Sequence, residues 1–449
     1  MVRYPGTEVP GYFLPPLRGS DLYTAKHGET CMSLAAIITL ALVLHPPAQP
    51  RAGDRRVAAD GTGDFKTIQE AVDAIAPGNR ERVVIHIKNG SYGERVRIRN
   101  SFITLRGEDR KKTRIVAEVD TSACTIQPGE SKEEHCATVI ADGTDLVFEN
   151  LSIVNSFDGS RGGKGAALSI VNDTTRVVVS NVDVVGSAGD TLVLSARRAR
   201  TNNGGEYYLN DVSVSGTYHI LVARGATYVA NSRFWCMGGT KNCLFSEGVT
   251  RETDKLVIRN STIDGPEPFG LGSYFRDAAW YFIEDTISAK LREGGQIFRE
   301  PAKDYTMKWG EGRIYFANNQ APNYAWLRDN IASSPAKSKD QVTAAWMFAA
   351  WNPERKEGPT IVRVDDRDDE IRVTLSERVT VQGEPRVRLD SGKAATYSSG
   401  SGSETLIFRG GRGGGKALKV ELNGGAIFAS VASRWRREAE SSLPGTSAK

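Results

Sequence analysis

The chain has 449 residues with 46 glycines, 39% hydrophobic and 25% charged residues, and a mean hydropathy of −0.36. That balance is far from a membrane protein's and suits a soluble, strand-rich chain with room for one large core and a second small domain. Formal net charge is +4 without a dominant basic run, which argues against a nucleic-acid partner and weakly favours an acidic polysaccharide.

Residues 1–53 read as an N-terminal extension and secretory signal. The apolar run at residues 32–45 (MSLAAIITLALVLH) is followed by PPAQPRA, the pattern of a signal's core and exit. It is shorter than the roughly 18 apolar residues of a membrane span, so the expectation is cleavage and no stable membrane insertion afterwards. Met32 is an alternative start. The mature protein is expected outside the cytoplasm, secreted or extracellular, with the periplasm included. Cys31 lies before or within the signal, leaving Cys124, Cys136, Cys236 and Cys243. Export permits disulfides, and of the three possible pairings the two local ones, Cys124–Cys136 and Cys236–Cys243, are the simplest. His135 has no partner at metal-ligand spacing, so neither a metal nor a cofactor is expected.

Residues 54–331 carry a repeat. Six segments show an apolar residue, any residue, a carboxylate or amide, two variable residues and an apolar residue. The polar member is Asn150, Asn181, Asp211, Asn231, Asn260 and, with a small shift, Glu284, at intervals of 31, 30, 20, 29 and 24 residues. Such a period signals a solenoid, and the alternating flanks (RVVVSNVDVV, KLVIRNSTI) make each repeat a set of short strands. One repeat cannot bury its apolar side alone, so coils must stack. The fold class is therefore all-β, a right-handed parallel β-helix, with the inward Asn or Asp satisfying backbone groups where the coil bends.

Residues 332–359 change to a short packed or helical stretch between polar linkers. Residues 360–432 return to β patterning, with seven short strands that suggest a small C-terminal β-sandwich. The charged, Ser-rich tail at residues 433–449 reads as disordered.

The segments Val57–Ile75 (VAADGTGDFKTIQEAVDAI), Val83–Ile98 and Ile103–Ile115 resemble the opening of the pectinesterases, carbohydrate esterases that demethylate pectin. In physical terms the first is a strand, a Gly-rich turn and a helix whose Ile68, Ala71, Val72 and Ile75 share one face. That helix would cap the open end of the solenoid. The turn Gly90-Ser91-Tyr92-Gly93-Glu94 matches the family's G-x-Y-x-E. The resemblance runs on through GDTLVL, GEYYLNDVSVSGTYHI and LGSYFRDAAWYFIEDTI to GRIYFANNQAP. More loosely, the C-terminal region resembles Ig-like modules of bacterial secreted proteins.

The resemblance implies a site of two aspartates, an arginine and two oxyanion-binding glutamines, and this chain departs from it. The general-acid aspartate is kept as Asp190, while Gly189 replaces the glutamine before it. His219 stands in the nucleophile's place, Ser273 replaces the arginine, Phe275 the stacking tryptophan, and Lys164 the other glutamine. Asp190 and His219 are then the catalytic candidates, since a carboxylate that orients an imidazole makes a general base. Lys164, Tyr218, Ser273, Tyr274 and Phe275 are the substrate-binding candidates. Three functions follow as expectations: an esterase with an altered site acting on pectin or a related uronan, a non-catalytic binder of acidic polysaccharide such as polygalacturonan, or a glycan hydrolase or lyase. The third lacks the acidic pair or calcium carboxylates it needs. A monomer is expected.

Overall fold

The structure, a computed structural model, describes residues 54–429 except 129–131, 161, 173, 195–204, 239–241, 250, 301–304, 349–350, 355–360, 368–369, 402, 411–416 and 422–425. The expected signal, Cys31 and the charged tail lie outside the described residues.

Each six-residue motif forms a bend between two strand columns. Its first apolar position builds the in-register stack Phe148, Val179, Leu209, Val229, Ile258, Phe282, extended by Leu105 before it and Phe316 after it. Its last builds a second stack of Ile153, Val184, Val214, Phe234, Ile263 and Ile287. Every pairing is parallel, so identical positions of successive coils fall on top of one another and bury the same face. Between the stacks the chain must turn sharply. Asn150, Asn181, Asp211, Asn231, Asn260 and Glu284 all adopt left-handed φ of 50–59°, as does a seventh residue, Asn318 at 54°. Asn and Asp tolerate that region best among non-glycine residues.

These side chains point outward rather than inward as the sequence suggested. Asp211, Asn231 and Asn260 are exposed, and amide bonds link neighbouring coils: Asn181 Nδ2 donates to Asn150 Oδ1 (2.8 Å) and Asn260 Nδ2 to Asn231 Oδ1 (2.6 Å). Asn150 also reaches a backbone carbonyl, that of Gly107 at 2.8 Å. The interior at the bend is filled instead by the next residue, Leu151, Val182 and Val212 in the early coils. From Ser232 onward that position is polar, and the N–H of Ser232, Ser261 and Asp285 donates to the side chain of Ser261, Asp285 and Asn319 in turn.

The coils make one fifteen-stranded and one eight-stranded parallel sheet around a common apolar interior. The helix Ile68–Asp73 closes the first coils, with a capping box between Thr67 and Glu70. Ile68, Ala71, Val72 and Ile75 are all buried in that interior. Glu94 accepts from the otherwise unpaired N–H groups of Ile68 (2.8 Å) and Gln69 (2.9 Å), which gives the G-x-Y-x-E turn a structural role at the helix N-terminus.

Outside the fifteen-stranded sheet, the helix Ala344–Phe348 and its flanks lay Val342, Met347, Phe348 and Trp351 against Tyr228, Val257 and Tyr281. Tyr228 donates to Val342 O at 3.3 Å. The seven C-terminal strands hydrogen-bond into one antiparallel sheet. Its 13-residue strand Glu370–Gln382 pairs with Ser403–Arg409 and, towards its other end, with Ala426–Ala429. Val373, Val387, Ala395, Leu406 and Phe408 form its own core. Both local disulfides are present, with Cα–Cα distances of 5.9 Å for Cys124–Cys136 and 5.8 Å for Cys236–Cys243.

Candidate active site

The eight-stranded sheet positions the site. Along it run the strands Ala166–Ile170, Leu192–Leu194, Leu221–Arg224, Leu244–Gly248, Gly272–Tyr274 and Phe298–Arg299, each paired in parallel with the next. Alternation sends Leu192, Leu221 and Leu244 into the interior and Val193, Val222 and Phe245 to the opposite, outer face.

Leu192 pairs with Leu221, so Asp190 and His219, each two residues earlier, stand at equivalent places on adjacent coils. The N–H of Thr191 donates to His219 O at 3.0 Å and locks that register. His219 Nδ1 then lies 3.1 Å from Asp190 Oδ1. Beside a carboxylate the Nδ1–H tautomer is favoured, which leaves Nε2 as the basic nitrogen. The imidazole stacks on Phe245 at 4.4 Å and 10°, and the ring of Tyr218 lies tilted beside it at 4.0 Å and 39°. It keeps 7% exposure, whereas the Asp190 side chain is 31% exposed.

Lys164 joins this group through the exposed Tyr218, whose ring its Nζ overlies at 4.6 Å. Its backbone is pinned by Thr121, which donates its N–H to Lys164 O (2.7 Å) and accepts from Lys164 N at Oγ1 (3.0 Å). Gly189 has a physical reason to be glycine. Its φ is +84°, and a Cβ there would stand 2.7 Å from Lys164 Cβ, so the family's glutamine would clash.

Asp190, His219, Tyr218 and Lys164 thus lie in a chain of contacts, and Phe275 joins them at one remove, packing edge-on to Phe245 at 4.8 Å. Ser273 is on the same outer face but its hydroxyl is committed: it is fully buried and donates to Glu300 Oε1 at 2.8 Å. Tyr274 is a correction. Its neighbour Ser273 points outward, so strand alternation turns Tyr274 into the interior core, where it cannot meet a sugar. Burial raises its phenol first, and the Gly312 backbone works against that. Arg276, near in sequence, lies over Tyr305 at 5.5 Å.

Phe245, Glu300 and Asn242, whose Nδ2 donates to Glu300 Oε1 at 2.9 Å, were missed. Phe245 follows from the register of Val222 with Phe245, once the coils are aligned. Glu300 lies outside every repeat and family motif and carries no sequence signal. Among the described residues, no group of three or more His, Cys, Asp or Glu is placed to hold a metal. A cavity of ≈ 390 Å³ lined by Asn318, Tyr324, Arg328 and Asp329 belongs to the last coil and shares no residue with this site.

The pectinesterase family profile matches residues 54–265. Pectinesterase 1 of Olea europaea is 27% identical over 277 residues, covering 60% of this chain and 70% of that protein. Carrot pectin methylesterase superposes with a TM-score of 0.52 at 18% identity, over 68% of this chain and 95% of that one. A pectin methylesterase solved in complex with a hexasaccharide gives 0.53 at 20% identity, over 67% and 98%. At these identities the solved structures speak for the fold, and the sequence matches carry the kinship. With the cap helix, the stacked coils and the Asp190 motif all in register, residues 54–265 form a pectinesterase-family domain.

Proposed function

We propose that this protein is a carbohydrate esterase that hydrolyses methyl esters of pectin or a related uronan through Asp190 and His219. The observation that carries the reading is the 3.1 Å Nδ1–Oδ1 contact between them on the outer face of the sheet. Asp190 holds the imidazole so that Nε2 takes a proton from water. The hydroxide attacks the ester carbonyl, and the Lys164 ammonium is the cation near the developing oxyanion. Collapse of the tetrahedral intermediate expels methoxide, which takes the proton back from Nε2. Methanol and a uronate are the products, and no acyl-enzyme forms, unlike a route with a carboxylate nucleophile.

A second reading, a polysaccharide binder without turnover, is supported by the aromatic rings of Phe245 and Tyr218 against His219 and its 7% exposure. Either way the polymer lies outside the cytoplasm, in keeping with kin that are pectinesterases and with the apolar run at residues 32–45. The test is methanol release from highly methylated pectin by the purified protein, with Asp190→Ala and His219→Ala beside it. Release lost about 100-fold or more in both variants supports the esterase. No release by the parent protein, with polygalacturonan still bound, replaces it with the binder.

A further inference from the structure

The loop after the last coil is pinned on several sides. Asn330 accepts from the Phe316 N–H at 2.7 Å and donates to Ile314 O at 3.0 Å. Asp329 accepts from the N–H groups of Asn318 (3.3 Å) and Ile331 (3.2 Å). Tyr324 Oη donates to Leu291 O at 3.0 Å, and Trp326 Nε1 to Glu293 O at 2.9 Å. These bonds fix the walls of the ≈ 390 Å³ cavity there, a size within the about 300–1,000 Å³ of small-ligand sites. Phe316 is its buried apolar side, and the lining ring of Tyr324 is stacked on Trp326 at 6.1 Å. Three polar groups of the lining have no hydrogen bond or ion pair among the described residues: the amides of Asn318 and Asn323 and the guanidinium of Arg328. For Asn318 this breaks a rule of its column. Each earlier bend residue, Asn150, Asn181, Asp211, Asn231, Asn260 and Glu284, has a side-chain partner.

We infer that this cavity is a second binding site, for a sugar that carries a carboxylate. Arg328 suits the carboxylate, since its guanidinium is planar, always charged and offers paired N–H donors. The amides of Asn318 and Asn323 can each donate and accept, as sugar hydroxyls do. The Tyr324 ring offers apolar surface to a pyranose. The nearby carboxylates are already engaged. Asp329 turns both oxygens to backbone N–H groups, and Glu284, one coil before Asn318 in the same column, is ion-paired with Arg259 and Lys339. A neutral sugar meets the same amides and ring but leaves the guanidinium without a partner, so the carboxylate sets the preference. The cavity shares no residue with the Asp190–His219 site, and this inference goes beyond the esterase reading without resting on it. A free uronate, the product class of the proposed reaction, is a ligand of this kind.

The test is an NMR titration of the isotope-labelled full chain with galacturonate, read at the indole N–H of Trp326, which is assigned by its loss in Trp326→Phe. Galacturonate should shift that signal saturably. Galactose, with a hydroxymethyl group in place of the carboxylate, should bind about tenfold more weakly. Arg328→Gln should weaken galacturonate to the level of galactose, and Arg328→Lys, which keeps the charge, should recover part of the loss. Methanol release from methylated pectin should be unchanged in Arg328→Gln. No saturable shift with galacturonate, equal binding of the two sugars, or galacturonate binding untouched by Arg328→Gln overturns the site and leaves the esterase reading standing. A fall in methanol release in Arg328→Gln overturns its separateness from the Asp190–His219 site. No methanol release by a parent protein that binds galacturonate as expected overturns the esterase reading and leaves this site standing.

Discussion

Replacing Lys255 by Met should stabilise the protein at neutral pH and lose that advantage in alkali. Lys255 leads into the strand Leu256–Arg259 and is 7% exposed. Its Nζ donates to Thr253 O and lies 4.4 Å over the Trp346 ring. Burial lowers its ammonium from 10.5 to about 8; Asp254 opposes this, and Arg313 and Arg251 add to it. At 1.36 kcal/mol per tenfold, holding this charge in the folded state costs about 3 kcal/mol at pH 7. The sign follows from proton counts. Between about pH 8 and 10.5 the unfolded chain keeps a proton that the folded chain has released, so stability rises with pH across that window. Below it both states are protonated and the cost is paid in full. Met keeps the unbranched stem but forfeits the bond to Thr253 and the contact with Trp346, together about 1–2 kcal/mol. A net gain of about 1–2 kcal/mol at pH 7 is expected, read as a higher urea midpoint at unchanged slope, and fading by pH 10. Equal or lower stability of Lys255→Met at pH 7, or a gain that does not change with pH, would refute the reasoning.

Phe245→Leu should cost about 1 kcal/mol or slightly more in stability, because a buried ring is exchanged for a smaller apolar group. Its larger effect is expected on turnover: without the stacked face, His219 loses its fixed orientation, and kcat for methanol release should fall about tenfold with KM little changed. A double Cys236→Ser, Cys243→Ser variant should lose about 2.5 kcal/mol on the chain-entropy estimate for its short loop. The same variant loosens the strand edge where Ile220 donates to Cys243 O at 2.9 Å, next to His219. Thermal unfolding of the two proteins side by side checks it, and an unchanged midpoint would contradict it.

The β-helix was legible because its repeat is local. A turn that needs left-handed φ takes Asn or Asp, and apolar residues at fixed offsets from it must stack, so six bends could be read from spacing alone. Asn318 escaped because the apolar residue expected three positions later is Ala321, not a strand residue. The direction of those side chains was misread because the sequence marks where the chain bends and not which side of the bend carries the side chain. Tyr274 shows the same weakness at finer scale. Alternation settles one residue only after its neighbour is anchored, and what anchors Ser273, the carboxylate of Glu300, lies on the next coil. Asp190 and His219 came together because each stands two residues before a strand whose register is set by leucines. Glu300 acts across three coils through a strand end that no motif marks, so only the stacked structure brings it to the site.

The most direct test of the Asp190–His219 pair is chemical rescue. Methanol release from highly methylated pectin by His219→Ala would be measured as free imidazole is added, with Asp190→Ala, His219→Ala as the control. If His219 supplies the base and Asp190 orients it, imidazole should restore a saturable share of the rate to the single variant and much less to the double one. Parent-level methanol release by His219→Ala without imidazole would contradict the pair as the catalytic centre.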